Sequence, residues 1–427
     1  MELYPHQIDA LSQTENMENI ALYHDMGLGK TYTGTEMMKR FGCRANLIVC
    51  QKSKLMDWYT HIWENYGDKI GHIYDLTHGN NIKIFFDDYE KGENVIGIIN
   101  YELAWRRPEL SALKDFCLML DESSLIQNTS AKQTKFILSL RPSHTILLSG
   151  TPVGGKYENL WSQAHLLGWK ISEELFDKQY VNYTKVEVAG AVHKVVDKLD
   201  PYKNIDRLKS KFRKYGALFL KTEEVIDLPE QVFSKIKIYP PPQYYDFHKY
   251  GYTEIHGVEI VGDSSLTKML GERKLCGFYN DEKLDAIRDL INSSTDRFII
   301  FYSFNDELEQ LESLCAELKR PVSEINGHKK DYKAYEEYDN SVTLCQYQAA
   351  AKGQNLQKCN RIIYYSLPLS SEDFEQSKKR THRIGQDKTC FYYIPICHNT
   401  IEEKILATLE ERKDYTDELF KEDSKQS

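Results

Sequence analysis

The sequence predicts an α/β protein of two parallel-sheet lobes with helical insertions, and three observations carry that prediction. Short apolar runs at 20–23, 47–50, 95–99, 117–120 and 146–148 alternate with amphipathic stretches of helical period. A second set of runs, at 298–301, 342–345, 362–365 and 391–394, repeats the pattern. The region between them, about 155–290, has a different texture, rich in charge and tyrosine, and reads as helical. Each run is brief, apolar and bounded by polar residues or glycine, as strands buried on both faces of a parallel sheet are. Alternation with helices reads as βαβ units. A chain of 427 residues exceeds one ordinary core and suits two domains. Leu228-Pro229 is the expected boundary, because proline restricts the residue before it and suits a linker. The expected domains are 1–228, with a helical insertion at about 155–220, and 229–427, with a helical protrusion at about 240–290 and a C-terminal helix.

Composition narrows the class. A hydrophobic content of 41% and a charged content of 28% are ordinary for a globular protein. No stretch approaches the roughly 18 apolar residues needed to span a membrane. The start, Met1-Glu2-Leu3-Tyr4-Pro5-His6-Gln7, lacks a basic region followed by an apolar run, so no signal peptide and a cytoplasmic location are expected. The nine cysteines are scattered without a C-x-x-C pair, which argues against a zinc site or disulfide framework and for buried free thiols. A net charge of −9 argues against a surface uniformly basic for nucleic acid, but leaves a local basic groove open.

The apolar run at 20–23 leads into His24-Asp25-Met26-Gly27-Leu28-Gly29-Lys30-Thr31, followed by a helix over about 32–40. Strand, glycine loop, Lys-Thr and helix make the arrangement that binds a triphosphate. Gly27 and Gly29 let backbone N–H groups approach phosphates, with Leu28 between them, and the helix N-terminus adds positive potential. Lys30 would reach the β- and γ-phosphates of ATP and the Thr31 hydroxyl would hold Mg²⁺. The strict pattern has glycine where this chain has His24, and a chance glycine loop is the alternative at this point. The run 116–120 ends in Asp121-Glu122. An acidic pair at a strand's C-terminal end belongs beside a phosphate loop in such a sheet. Asp121 would serve Mg²⁺ and Glu122 would act as general base, unless the pair is a solvated acidic turn. Far downstream, Gln376-Ser377-Lys378-Lys379-Arg380-Thr381-His382-Arg383-Ile384-Gly385-Gln386 places Gln376, Arg380 and Arg383 at i, i+4 and i+7, one face of a helix. Arginines presented to a γ-phosphate stabilise transition-state charge. A basic solvated helix face is the alternative.

The order of these motifs resembles the Swi/Snf-type DNA-dependent ATPases, helicase-like motors of the second helicase superfamily, over nearly the whole chain. Pro5-His6-Gln7 resembles the adenine-sensing glutamine motif, which gives Gln7 a nucleotide-binding role. Asp25-Met26-Gly27-Leu28-Gly29-Lys30-Thr31 matches the family's first motif. Leu47-Ile48-Val49-Cys50-Gln51-Lys52-Ser53 with Trp58, and Asn100-Tyr101-Glu102, resemble the following segments, the first of which usually lies near DNA. Ser149-Gly150-Thr151-Pro152, with Leu160-Trp161 beyond, resembles the coupling motif. Leu220-Lys221-Thr222-Glu223-Glu224-Val225 with Leu228-Pro229 resembles the segment that joins the lobes. Phe301-Tyr302-Ser303-Phe304, Gly353-Gln354-Asn355-Leu356-Gln357 and Arg380-Thr381-His382-Arg383-Ile384-Gly385-Gln386 resemble motifs of the second lobe. The resemblance implies two RecA-like lobes of P-loop NTPase type with an ATP site in the interlobe cleft. Its catalytic set would be Lys30, Asp121, Glu122, Gln376, Arg380 and Arg383, with Thr31 and Asp121 as metal ligands. It implies Lys52, Ser303, Gly353 and Asn355 as nucleic-acid contacts and Ser149, Gly150 and Thr151 as coupling residues. One departure is Asp121-Glu122-Ser123-Ser124, where Ser124 stands in place of the family's histidine.

The expected partner is double-stranded DNA bound through its backbone without sequence specificity, by a monomer resembling compact bacterial or phage members. The stretch 203–221 holds Lys203, Arg207, Lys209, Lys211, Arg213, Lys214 and Lys221 against Asp206, and could track phosphates or form an ordinary solvated helix. Tyr244, Tyr245, Tyr250 and Tyr252 read first as packing and second as base-stacking residues. Three activities stay open: a DNA-dependent ATPase that translocates on duplex DNA, a strand-separating helicase, and a nucleotide-regulated DNA-binding scaffold with weak hydrolysis.

Overall fold

The computed structural model describes residues 2–188, 191–197, 199–347 and 355–420. The chain divides into two compact units, one holding Met1–Val225 and the other Ile226–Lys413.

The first unit is built on a seven-stranded, wholly parallel sheet. Its strands are β1 (Asn19–His24), β2 (Ala45–Cys50), β3 (His72–Asp75), β4 (Val95–Asn100), β5 (Phe116–Asp121) and β6 (His144–Leu148), followed after a hairpin of β7 (Tyr183–Val188) and β8 (Ala191–Val196) by β9 (Ala217–Leu220). The spatial order is β3-β4-β2-β5-β6-β1-β9. Helices cover both faces, so successive residues of one strand enter different cores. Ala21 and Tyr23 of β1 pack in one cluster with Leu47, Leu118 and Leu147, while Ile20 and Leu22 pack in another with Ile48, Met119 and Ile146. That double burial is why these strands appear in sequence as continuous apolar runs rather than alternating ones. Three helices matter for the site: α1 (Pro5–Gln13), α2 (Lys30–Phe41) and α3 (Leu55–Tyr66).

The second unit carries a seven-stranded sheet of β10 (Gln231–Ile238), β13 (Phe298–Tyr302), β14 (Val322–Ile325), β15 (Lys330–Asp331), β16 (Val342–Gln346), β17 (Arg361–Tyr364) and β18 (Cys390–Cys397). Its order is β10-β18-β17-β13-β16-β14-β15, parallel except where β15 runs against β14. The hairpin of β11 (Tyr252–Ile255) and β12 (Val258–Val261) stands apart as a sheet of two strands. The two sheets match the predicted architecture of two RecA-like lobes.

The texture of 155–290 is not purely helical, which corrects the sequence reading. It holds β9, a strand of the first large sheet, β10, a strand of the second, and two hairpins. β10 alternates exposed and partly buried positions along Gln231–Ile238, because it is an edge strand paired along its whole length to β18. A period of two over eight residues was the available signal. Within this region Lys209 is buried at 1% exposure, so it is no solvated phosphate contact. Tyr244 is likewise buried and its hydroxyl accepts the Ile401 amide at 2.9 Å, whereas Tyr245, Tyr250 and Tyr252 are exposed.

One buried ion pair fixes the end of the second unit. Lys283 Nζ donates to both oxygens of Glu402, at 2.6 and 2.8 Å, and to the Tyr365 carbonyl at 3.1 Å. Burial alone would lower the Lys283 pKa, but the Glu402 charge outweighs it and holds the ammonium above its usual value. Among the described residues, Cys276, Cys397 and Glu402 are the one trio spaced to hold a metal, yet Glu402 is already neutralised by Lys283. Breaking one side of a buried pair leaves an uncompensated charge. Glu402→Ala is expected to destabilise the second unit by about 3–5 kcal/mol, measured by denaturant unfolding. All nine cysteines are free, and all but Cys43 are buried. Among the described residues no helix is long and apolar enough to cross a membrane.

Candidate active site

The site is organised by adjacency in the first sheet. β6 lies between β1 and β5, with Leu148 level with Leu22 on one side and Asp121 on the other. The loop leaving β1 and the acids leaving β5 therefore emerge at the same sheet edge.

The loop 25–29 turns on two glycines with positive φ, 89° at Gly27 and 72° at Gly29. Gly29 is the residue before α2 and gives that twelve-residue helix no side-chain cap, which leaves first-turn N–H groups for an anionic ligand. A Cβ on Gly29 would collide with the Gln7 side-chain amide. Lys30 curls back on the loop, its Nζ donating to the carbonyls of His24 at 2.8 Å and Asp25 at 3.2 Å. Leu28 is buried and Thr31 is half-buried in the first turn of α2. His24 is buried, and burial together with the Lys30 and His6 charges pushes its pKa down to about 3, so it stays neutral beside the phosphate loop.

The start of α1 is clipped to this loop. His6 Nε2 donates to the Leu28 carbonyl at 3.0 Å, and Gln7 Nε2 donates to the Gly29 carbonyl at 3.1 Å. Gln7 Oε1 accepts the Tyr4 amide at 2.8 Å.

Asp121 is gripped twice. The Trp58 indole N–H donates to its Oδ2 at 2.8 Å, and the Tyr101 hydroxyl donates to its main-chain carbonyl at 2.9 Å. Burial raises the Asp121 pKa, opposed by the Trp58 hydrogen bond and by the Lys54 and Lys30 charges. Glu122 follows in the left-handed region at φ 53°, a conformation that a non-glycine residue holds at a cost of about 1–3 kcal/mol and that clusters at functional sites.

The predicted coupling residues lie against the same loop. The Ser149 amide donates to the Leu22 carbonyl at 3.2 Å, and the Ser149 hydroxyl accepts the Thr151 amide at 3.2 Å. A Cβ on Gly150 would meet Met26 Cγ at 3.1 Å. Gln163, which the sequence did not single out, ties these segments together. Its Oε1 accepts the hydroxyls of Tyr23 and Ser123, both at 2.9 Å, and its Nε2 donates to the Pro152 carbonyl at 2.7 Å. Ser124 is buried at 1% exposure in the turn after Glu122. Thr222, in the segment expected to join the lobes, donates its amide at 3.1 Å and its hydroxyl at 3.3 Å to Asp25 Oδ2. A loop aspartate thus anchors the chain just before it leaves the first unit.

In the second unit the late motif is not one helix. The helix Ser371–Lys378 ends before Arg380, so Gln376 is helical while Arg380 and Arg383 sit in successive turns. At the helix end the Lys378 carbonyl gathers several donors, the Thr381 and His382 amides at 3.3 and 3.2 Å and the Thr381 Oγ1 and Tyr392 hydroxyls each at 3.2 Å. The i, i+4, i+7 face does not exist there. Gln376 is 5% and Arg380 3% exposed, and burial lowers the Arg383 pKa. The turns are zipped to the neighbouring motif: the Leu356 amide donates to the Arg380 carbonyl at 3.0 Å, and Gln386 Nε2 donates to the carbonyls of Gln357 and Cys359, both at 3.0 Å. Of the predicted nucleic-acid contacts, Lys52 and Asn355 are exposed, while Gly353 lies outside the described residues. Ser303 Oγ accepts Arg273 Nη2 at 3.1 Å.

The donor set of Lys30, Thr31, Asp121 and Glu122 around an uncapped helix start fits a nucleotide triphosphate with a divalent cation, both implied by the motifs. Asp121 and Thr31 would hold the cation, which prefers oxygen ligands.

Residues 6–276 match the SNF2-related domain and residues 282–385 the helicase conserved C-terminal domain. An uncharacterized ATP-dependent helicase of Mycoplasma pneumoniae is 24% identical over 96% of this chain and 41% of that protein. The putative ATP-dependent helicase/translocase YwqA of Bacillus subtilis is 24% identical over 93% of this chain and 46% of its own length. This chain therefore spans less than half the length of these relatives. The Sulfolobus solfataricus SWI2/SNF2 ATPase core in complex with dsDNA aligns over 99% of this chain and 94% of its own, with 19% identity and a TM-score of 0.47. Because the SNF2-related match alone takes in more than half of the 427 residues, the chain belongs to the SNF2-related family of helicase-like ATPases.

Proposed function

We propose that this chain is a DNA-dependent ATPase that converts hydrolysis into movement along double-stranded DNA. The observation that carries the reading is the meeting, at one sheet edge, of the Lys30 loop and the Asp121-Glu122 pair, with the coupling segment packed on both. Lys30 supplies positive charge to the phosphates and Thr31 and Asp121 present oxygens to the cation. The bound Mg²⁺ would neutralise charge on the phosphoryl oxygens. Glu122 orients the attacking water and takes its proton. Arg380 and Arg383 remain the candidates for stabilising charge in the transition state.

Movement requires that the state of the site reach other segments. Gln163 bridges the turn after Glu122 to Pro152, and Asp25 bridges the phosphate loop to Thr222. These contacts support coupling despite Ser124. For DNA, the proposed contacts are Lys52, Ser303 and Asn355, joined by the exposed Arg207 and Lys214 of the helix Ile205–Lys214. They offer charge and hydrogen bonds to phosphates, contacts that position a protein on DNA without reading its sequence.

The test is ATP turnover of the purified chain with and without duplex, single-stranded and forked DNA across a salt series. Stimulation by duplex that fades steeply with salt is expected. Equal rates with and without duplex would overturn the DNA-dependent reading.

A further inference from the structure

The geometry points to Trp58 and Tyr101 as positioning residues that set the Asp121 carboxylate for its cation, a role that rests on the ATPase reading above. Both are nearly sealed from solvent, at 2% and 1% exposure. They come from different faces of the sheet: Trp58 packs with Ile48, Met119 and Leu148, and Tyr101 packs with Leu47, Val49 and Leu120. The end of β5 is thus pinched from above and below.

The two grips do different things. Asp121 closes β5, so nothing beyond it in the strand fixes its side chain. The Trp58 N–H on Oδ2 takes one carboxylate oxygen and so fixes the rotation of the carboxylate plane. The Tyr101 hydroxyl on the main-chain carbonyl fixes the backbone from which that side chain springs. It does so one residue before Glu122 takes its left-handed conformation. An indole N–H in a buried site must find an acceptor, and here it chose a carboxylate rather than a backbone carbonyl. Partners that orient a metal ligand in this way typically govern metal affinity by about 10–100-fold. The spacing also matters. Trp58 lies on α3, which begins at Leu55 directly after the turn Lys52–Lys54. The Lys54 charge bears on Asp121 as well, so this short segment reaches the carboxylate by two routes.

The experiment compares Trp58→Phe and Tyr101→Phe with the intact chain. Tyr101→Phe keeps the ring and removes the donor; Trp58→Phe removes the donor and replaces the indole with a smaller ring, which is why melting is followed alongside. The readout is the Mg²⁺ concentration that half-saturates binding of a fluorescent ADP analogue, with thermal melting followed in parallel. Trp58→Phe is expected to raise that concentration about tenfold, and Tyr101→Phe to raise it by a smaller factor. Binding measured without Mg²⁺ is expected to stay within about twofold. If both variants melt lower but bind Mg²⁺ with unchanged half-saturation, the residues are packing only and the inference fails. If Trp58→Phe does not fold, the Tyr101→Phe titration decides. Absence of Mg²⁺-dependent nucleotide binding in the intact chain would instead sink the ATPase reading itself.

Discussion

Replacing Glu122 with glutamine is expected to cut ATP turnover by about 10²–10⁴-fold, with nucleotide affinity unchanged within a few-fold. Gln keeps the shape and hydrogen-bonding reach of the side chain but cannot accept the proton of the attacking water. The change is also local. Glu122 is a left-handed residue in the turn between β5 and the segment Ser123–Ile126, and the backbone strain there belongs to the position rather than to the charge. Single-turnover hydrolysis and nucleotide titration on the same preparation separate the two effects. Turnover within threefold of the parent would show that the acid is not the base. It would revive the alternative of a nucleotide-regulated scaffold.

Replacing Arg380 with alanine is the second large effect, an expected loss of about 10³-fold or more in turnover. A transition-state arginine acts on charge that develops only during transfer. Its removal should therefore lower the maximal rate far more than the affinity for ATP. Arg380 is 3% exposed, so the variant must be shown by its melting curve to be folded under assay conditions. Its main-chain carbonyl already holds the Leu356 amide. Because that contact needs no side chain, the neighbouring motif should survive the truncation. A loss of less than tenfold would hand the role to Arg383 or to no arginine of this segment.

These expectations rest on residues that the sequence itself exposed, and the reason is physical. A phosphate loop, a strand-end acid pair and a basic turn are local patterns, written within a few residues of one another. So are parallel strands buried on both faces, which is why the runs at 20–23, 117–120 and 298–301 could be read directly. β9 escaped notice because Ala217–Leu220 is brief and follows a densely charged helix. β10 escaped because an edge strand alternates instead of running apolar throughout. The helix expected through Arg383 ends at Lys378, whose carbonyl also meets the Tyr392 hydroxyl of β18, a contact that no local periodicity encodes. Contacts were the least legible part of the site. Trp58 finds Asp121 across 63 positions, Tyr23 finds Gln163 across 140, and Asp25 finds Thr222 across 197. A motif names a residue, but the partner it meets depends on where the whole sheet places it.

The buried Lys283–Glu402 pair sets a practical boundary for anyone dissecting this chain. The helicase C-terminal match ends at residue 385, and similarity alone would place a cut there. Such a cut removes β18, the strand that pairs with β10 along its whole length, and exposes the flank of β17. It also strands the Lys283 ammonium in an apolar interior, with the Tyr365 carbonyl as its one remaining acceptor among the described residues. A fragment of the second unit meant to fold by itself therefore has to begin before Gln231 and run past Glu402, well beyond the limits that similarity alone would draw.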